Sequence, residues 1–339
     1  MHQTILRTLA TAIFATVLSV TPAAGQTNEL RASFDRALGT EVRDPQSFEA
    51  IYETGFEQRI AELADGDQGR IGVAAIDLAT GDQLYVLGDQ LFPMASTSKI
   101  AVAATFLEMV EQGRYSLTSE FPLLHPIRSG KYSSPAAPVR RGEYMQAIDL
   151  IEIMITRSSN PATDALLAAV GGPARVNDWV RRQGIENFSI DRDIATLVRD
   201  DGEYDPAAWI DPRDAATPRA MTMLLGGLYR GDFLSAQSRN VLLGAMSRTR
   251  TGRRRIPARI PEGATVSHKT GSLNNTSSDI GIIEAPDGRA IAVAIYVTGQ
   301  GSRRARENRI AAIARALYDG FAANARSRQN WTNARRSGG

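Results

Sequence analysis

Ser96 and Lys99 stand three residues apart, in the pattern Ser-x-x-Lys, directly before a long apolar run. A serine hydroxyl is a weak nucleophile at neutral pH and needs a base beside it. Side chains three positions apart share one face of a helix, so the Lys99 amine is expected to reach the Ser96 hydroxyl. The apolar run over 100–110 predicts a buried helix, whose first lysine is partly desolvated and therefore favours its neutral form. The pattern predicts an acyl-transfer nucleophile with its own base; the alternative is a serine that caps a helix.

A second segment carries polar side chains suited to the same reaction. In Ser-Ser-Asn, Ser158 would relay a proton to a leaving nitrogen, and Asn160 would hold a substrate amide. The alternative is a capping turn, with Asn160 as the N-cap and Pro161 as the first residue of a helix that stops at Gly171-Gly172.

A third segment lies within a strand-like run over 264–273. Lys269, Thr270 and Ser272 would hold a substrate carboxylate, and Gly271 would let the substrate lie along the strand edge. The backbone N–H groups of Ser96 and Ser272 would then form an oxyanion hole. The alternative is an ordinary exposed strand with a bulge glycine.

Taken in this order, the three motifs resemble the signature of the penicillin-recognising serine hydrolases, and among these the class A β-lactamases most closely. The resemblance runs from about Gly69 to Leu317 and includes Phe92 to Lys99, Gly171-Gly172-Pro173 and Asp211 to Met221. It implies a serine hydrolase of the β-lactamase/transpeptidase fold that acts on cyclic amides and needs no cofactor. The residues implied as catalytic are Ser96, Lys99, Ser158 and Lys269, and those implied as substrate-binding are Asn160, Thr270, Gly271 and Ser272.

The chain departs from this family in the omega loop. Family members carry a glutamate there that activates the water which hydrolyses the acyl-enzyme. Counting forward from Asp191-Arg192 places Ile194 at that position and Val198 at the position of its partner asparagine, and neither side chain can transfer a proton. Ser159 and Asp164 replace the family's aspartate and asparagine, which we expect to alter scaffolding rather than chemistry.

The loop is also longer than usual, and counting back from Asp211 instead places Asp201 at the base position and Asp205 at the asparagine position. These two belong to an acidic cluster that consists of Asp200, Asp201, Glu203 and Asp205. The cluster is either a substitute base or a solvated acidic turn around Gly202. Arg192 and Asp214 are predicted to pair and hold the loop closed, as their family counterparts do.

The elements that would position these residues predict an α/β fold, a five-stranded antiparallel sheet flanked by helices with a helical lobe inserted. Alternating runs at 70–77 and 83–87, the strand at 264–273 and a hairpin at 279–284 and 290–298 supply the strands. Helices are expected at 47–64 and 304–322. The expected parts are a signal peptide (1–25), a flexible lead-in (26–46), an α/β lobe (47–95 and 255–323), a helical lobe (96–254) and a basic flexible tail (324–339). Ser96, Ser158 and Lys269 would meet at the seam between the lobes, a common place for a ligand cleft.

The composition limits where the protein is expected to act and which partners it is expected to bind. In 339 residues, an apolar run over 9–20 follows Arg7 and precedes small residues up to Gly25, which predicts a secreted or periplasmic protein with a cleaved signal peptide. The run is too short to span a membrane, and the absence of cysteine excludes disulfides, thiol catalysis and a cysteine-linked lipid anchor. With a net charge of +2 and no nucleic-acid motif, we expect no nucleic-acid partner, and the three histidines lack metal-ligand spacing. A monomer is expected.

Three functions remain open at this point. The first is a β-lactamase that opens β-lactam rings through an acyl-enzyme. The second is a D-alanyl-D-alanine peptidase, or a related amide or ester hydrolase of cell-wall metabolism, since the same acylating groups serve both. The third is a penicillin-binding or sensing module that stays acylated. The match around Ser96 favours the first, and the missing glutamate favours the others.

Overall fold

The computed structural model describes residues 54–337, with side chains up to residue 325. The predicted signal peptide and lead-in lie outside the described residues. The helices are α1 (Gly55–Ala64), α2 (Lys99–Glu111), α3 (Ala147–Thr156), α4 (Asn160–Val170), α5 (Pro173–Arg182), α6 (Ile194–Arg199), α7 (Pro218–Arg230), α8 (Ala236–Ser247) and α9 (Arg303–Ser337). The strands are β1 (Ile71–Asp77), β2 (Gln83–Val86), β3 (Phe92–Pro93), β4 (Glu120–Pro126), β5 (Val139–Gln146), β6 (Ala215–Ala216), β7 (Thr265–Leu273), β8 (Thr276–Glu284) and β9 (Ala290–Thr298).

The predicted five-stranded antiparallel sheet is confirmed, with the strand order β2-β1-β9-β8-β7. Its middle strand β9 is buried along its whole length, because both faces of the sheet are covered. Alternate side chains of β9 point to opposite faces, as the two-residue period of a strand requires. Ala292, Ala294 and Tyr296 pack in one hydrophobic core, and Ile291 and Val293 pack in the other. Strand β7, which carries Lys269, is an edge strand and leaves one side open.

The two cores lie on the two faces of this sheet. The smaller core combines the sheet with α1 and α9, for example through Ile60 and Leu317. The larger core combines it with the helices from the middle of the chain. Helix α2 is central to the larger core, since every residue from 99 to 107 is buried. This confirms the buried helix predicted from its apolar sequence.

Several boundaries differ from the prediction. Ser159, not Asn160, is the N-cap of α4, and its hydroxyl accepts a hydrogen bond from the Ala162 N–H at 3.4 Å. Helix α9 continues to Ser337, so the backbone of most of the predicted tail is helical. Two small strand pairs, β3–β6 and β4–β5, were not predicted. The division into lobes at 95/96 and 254/255 stays a prediction. No helix among residues 54–337 is both long enough and apolar enough to cross a membrane.

Candidate active site

Ser96 lies in a 3₁₀ turn over Ala95–Ser98 that leads directly into α2. Among residues 94–100 it alone is partly exposed, whereas its six neighbours are buried. The residue before it, Ala95, has a φ of 49°, a left-handed conformation that is uncommon for a residue with a side chain. The Met94 N–H donates to the Asp214 carbonyl at 3.0 Å, which ties the start of this turn to the end of the omega loop. The turn therefore leaves Ser96 partly exposed on a buried support.

The Lys99 side chain is fully buried at the start of α2. Its Nζ donates to the Ser158 carbonyl at 2.8 Å, to the Ser158 Oγ at 3.2 Å and to the Asn160 Oδ1 at 2.7 Å. Burial lowers the pKa of this amine well below its usual value, and the nearby charge of Lys269 lowers it further, while Asp164 opposes both effects. The predicted contact with the Ser96 hydroxyl is not among the hydrogen bonds of Lys99 within the described residues. The amine instead faces the Ser-Ser-Asn segment.

Ser158 stands between two amines. Its Oγ accepts a hydrogen bond from the Lys269 Nζ at 2.9 Å, in addition to the longer one from Lys99. Its φ of 58° places it in the left-handed region, in the short connection between α3 and α4. Such strain is retained where the surroundings over-determine it, often at functional sites. A hydroxyl held in this way can pass a proton from either amine to a substrate atom.

Lys269 completes the pair of buried amines. It is fully buried on β7, and burial lowers its pKa to about 7, with the Asp279 carboxylate opposing this shift and the Arg255 charge adding to it. The whole chain has only three lysines among its 39 basic residues, and two of them lie here. An amine can lose its proton near neutral pH when it is buried, whereas a guanidinium stays charged. The site therefore holds two amines that, unlike the arginines around them, can act as proton acceptors once burial has lowered their pKa.

Gly271 allows the edge strand β7 to approach the Ser96 turn. A Cβ at this position would lie 2.7 Å from the Met94 carbonyl oxygen and 3.1 Å from the Ala95 Cβ. The sequence analysis assigned this glycine to substrate access along the strand, which stays a prediction, and the structure adds that close packing on the Ser96 turn requires it. Ser272, the next residue, is exposed beside the turn.

Arg255 is a site residue that the sequence analysis did not identify. Its side chain is 1% exposed, and it donates to the Gly271 and Ser278 carbonyls and to the Ser272 Oγ, each at 2.7 Å. It therefore brings a positive charge behind the proposed carboxylate-binding edge. Arg255 belongs to a run of five arginines over 248–255, and the sequence alone does not show which of them is buried.

The omega loop is closed by the predicted pair. The Arg192 Nε donates to the Asp214 Oδ2 at 2.6 Å, and the Asp214 Oδ1 also accepts from the Asp191 N–H at 2.8 Å. Both carboxylate oxygens of Asp214 are thus engaged at the neck of the loop. This pairing is confirmed.

Ile194, which the forward count places at the family's glutamate position, is the first residue of α6 and is 5% exposed. Its N–H and that of Ala195 donate to the two carboxylate oxygens of Asp164, at 2.7 and 2.9 Å. Burial raises the pKa of Asp164 to about 7, although these two donors act in the opposite direction. Val198, which the same count places at the position of the partner asparagine, is half exposed. Asp164 therefore anchors the loop segment and also places a titratable carboxyl near Lys99.

The acidic cluster is bonded to neighbouring segments rather than free in solvent. Asp200 is paired with Arg199 at 2.7 Å and Glu203 with Arg213 at 2.6 Å. The other two members bond to the turn between β7 and β8, Asp201 accepting from the Asn274 N–H and Asp205 from the Asn275 Nδ2, both at 2.8 Å. Lys131 also donates to the Asp201 carbonyl. These contacts fasten the long loop to the sheet edge, a role that neither sequence interpretation included.

Asp201→Asn and Glu203→Gln are each expected to leave the rate of acyl-enzyme hydrolysis unchanged, because these carboxylates already have structural partners. Glu203→Gln should cost no more than about 1 kcal/mol of stability, since the ion pair is partly exposed. The deacylation rate constant, measured beside thermal unfolding, checks this. A fall of about 10²–10⁴-fold in either variant would identify that carboxylate as the base.

Comparisons with known proteins agree on one family. The profile described as the β-lactamase enzyme family matches residues 55–321. β-Lactamase CTX-M-25 of Escherichia coli is 32% identical over 268 residues, which cover 78% of this chain and 89% of that protein. A variant of the last common ancestor of the Gram-negative class A β-lactamases superposes with a TM-score of 0.68 and 35% identity, covering 80% of this chain and 100% of that one. A variant of PBP-A, solved as an acyl-enzyme complex with penicillin G, has a TM-score of 0.67 and 28% identity, with 80% and 97% covered.

Proposed function

The chain belongs to the β-lactamase enzyme family, as a class A-like member, and on this premise we propose that it opens β-lactam rings through an ester formed on Ser96. One observation carries the proposal: two buried amines, Lys99 and Lys269, hold the Ser158 hydroxyl between them, and the partly exposed Ser96 lies one turn before Lys99. This arrangement supplies a nucleophile, a base and a proton donor to one carbonyl carbon.

Acylation follows from these groups. Neutral Lys99 accepts the Ser96 proton, directly or through a water molecule, and the serine oxygen bonds to the lactam carbonyl carbon. The backbone N–H groups of Ser96 and Ser272 stabilise the resulting oxyanion, and the loss of one such donor typically costs about 10²–10³-fold in rate. When the ring C–N bond breaks, Ser158 protonates the nitrogen and regains a proton from the lysine pair. No other co-reactant is required.

Substrate binding uses the two sides of this centre. The Asn160 Oδ1 is occupied by Lys99, which leaves its NH₂ group to donate to the carbonyl of a substrate side-chain amide. Thr270 and Ser272 hold the substrate carboxylate on the edge strand, with Lys269 and Arg255 supplying positive charge from behind. Gly271 keeps this edge close to Ser96.

Hydrolysis of the ester requires a base that activates water. Ile194 offers no base to the attacking water, so we expect a long-lived acyl-enzyme. This favours a second candidate, a D-alanyl-D-alanine peptidase of cell-wall metabolism that β-lactams acylate and block. The similarity to PBP-A, a variant of which was captured as an acyl-enzyme with penicillin G, supports the same alternative.

The proposed site of action is outside the cytoplasm. Residues 1–25 have the pattern of a secretory signal peptide, and a β-lactam or cell-wall substrate is encountered after export. Mass spectrometry of the exported protein should show a chain that begins at Gln26. An exported chain that retains residue 1 would contradict cleavage.

Ser96→Ala is expected to abolish both labelling by a fluorescent penicillin and turnover of a chromogenic cephalosporin, because it removes the hydroxyl on which the ester is proposed to form. Ser98→Ala is the matched control, since the Ser98 hydroxyl is buried and donates to the Ala95 carbonyl. Labelling that survives in Ser96→Ala would show that the nucleophile is another residue.

The same two reagents separate the candidate functions. Sustained turnover by the unmodified chain supports the β-lactamase. One label per chain without turnover rules it out, and release of D-alanine from a D-alanyl-D-alanine peptide then identifies the peptidase.

A further inference from the structure

A strongly basic groove adjoins the carboxylate side of the site. It is open to solvent, has a volume of about 550 Å³, and is lined by Arg250, Arg253, Arg254, Arg303, Arg304 and Glu307. All five arginines are exposed, whereas Glu307 is buried.

The charge of this groove is largely uncompensated. Its one carboxylate, on Glu307, is shared by Arg303 at 3.2 Å and Arg255 at 3.4 Å. The other four arginines of the groove have no side-chain ion pair within the described part of the chain. The net charge of the whole protein is only +2, so the groove is a local excess of positive charge. Guanidinium groups bind carboxylates and other planar anions through two parallel hydrogen bonds.

The groove is joined to the edge strand by short contacts. Arg255 bonds to Ser272 on one side and to Glu307, in the groove, on the other. Gly252, which also lines the groove, packs so closely on Thr270 that a Cβ there would lie 2.3 Å from the Thr270 Cγ2. The groove therefore begins where the proposed carboxylate subsite ends.

We propose that this groove binds a second anionic group on the leaving-group side of the substrate, so that the enzyme favours dianionic β-lactams. The inference rests on the proposed function. In a cephalosporin the carboxylate-bearing carbon is bonded to the carbon that carries the C3 substituent. With the carboxylate at Thr270 and Ser272, that substituent extends past the edge strand, where the arginines lie. An acidic C3 substituent then gains an attraction that a neutral one does not.

Cefotaxime and ceftriaxone test this directly, because they share one acyl side chain and differ at C3. Cefotaxime carries a neutral acetoxymethyl group there, and ceftriaxone an acidic triazinedione thioether. The measured quantity is the second-order rate constant for acylation of Ser96, followed by intact-protein mass spectrometry. In R253Q/R254Q we expect the ceftriaxone-to-cefotaxime ratio of these constants to fall about 5-fold, as loss of two exposed charge contacts implies. The same ratio in the unmodified enzyme should fall as salt is raised.

The matched control is R114Q/R175Q, which removes the same charge from two exposed arginines on the helical side of the chain. It should keep the ratio of the unmodified enzyme. A ratio that is unchanged in R253Q/R254Q, or that falls equally in the control, overturns the inference while acylation itself stands. If neither cephalosporin acylates Ser96 in the unmodified enzyme, the proposed function is wrong and this inference falls with it.

Discussion

Lys99→Met is expected to lower the rate constant for acylation of Ser96 by about 10²–10⁴-fold, the range typical for loss of a general base. Methionine keeps an unbranched side chain of similar length but cannot accept a proton. Burial already lowers the pKa of Lys99 well below its usual value, which favours the neutral form that a general base requires. Stopped-flow acylation by a fluorescent penicillin measures the change.

The pH dependence of the acylation rate constant tests the same role of Lys99. Because the neutral amine is the base, acylation by the unmodified enzyme should rise as pH rises through the lowered pKa of the lysine pair and then level off. Lys99→Met should lose that rising limb. Lys131→Met is the matched control, since Lys131 is exposed and its amine bonds to the Asp201 carbonyl rather than to Ser158 or Asn160. Near-normal acylation in a folded Lys99→Met variant would exclude Lys99 as the base.

Ile194→Glu is expected to raise the deacylation rate constant by about 10²-fold or more, because the forward count places residue 194 where the family activates water with a carboxylate. Asp164 should limit the gain. Its two oxygens accept from the N–H groups of Ile194 and Ala195, so a new carboxylate would stand close to an existing one and the two would repel. The double variant Ile194→Glu with Asp164→Asn is therefore expected to hydrolyse its ester faster than Ile194→Glu alone.

The variant Ile194→Gln shows whether faster deacylation comes from a new general base or from a change in loop packing. Glutamine matches glutamate in size and polarity but cannot accept the proton of water. If Ile194→Gln shortens the life of the acyl-enzyme as much as Ile194→Glu does, entry of water past a loosened loop explains the gain. The acyl-enzyme half-life, followed by mass spectrometry after rapid removal of free penicillin, gives the comparison.

The sheet and the buried helix were predictable from the sequence because their signals are local. Strand β2 alternates between buried and more exposed residues, whereas β1 is a short apolar run that is buried throughout, and α2 is a longer apolar run. The N-cap of α4 was misplaced by one residue for a long-range reason. Both Ser159 and Asn160 are good capping residues, but the Asn160 oxygen is bonded to Lys99, 61 positions away.

The contacts of the omega loop could not be predicted from the local sequence pattern. The sequence pattern predicts that Asp201 and Asp205 belong either to a substitute base or to a solvated turn. In the structure both bond to the β7–β8 turn, about 70 residues along the chain. Arg255 and the exposed arginines beside it have the same residue type and differ only in packing. Such contacts depend on how distant segments meet, and no local period encodes them.

Because lysine is scarce in this chain, the protonation state of each lysine amine can be followed separately. A chain labelled with ¹⁵N only in its lysine side chains would show three Nζ signals, from Lys99, Lys131 and Lys269. Two of the three report on groups hydrogen-bonded to one serine oxygen. Titration by nuclear magnetic resonance would follow each amine separately before and after penicillin is bound. In a protein with many surface lysines these signals would overlap.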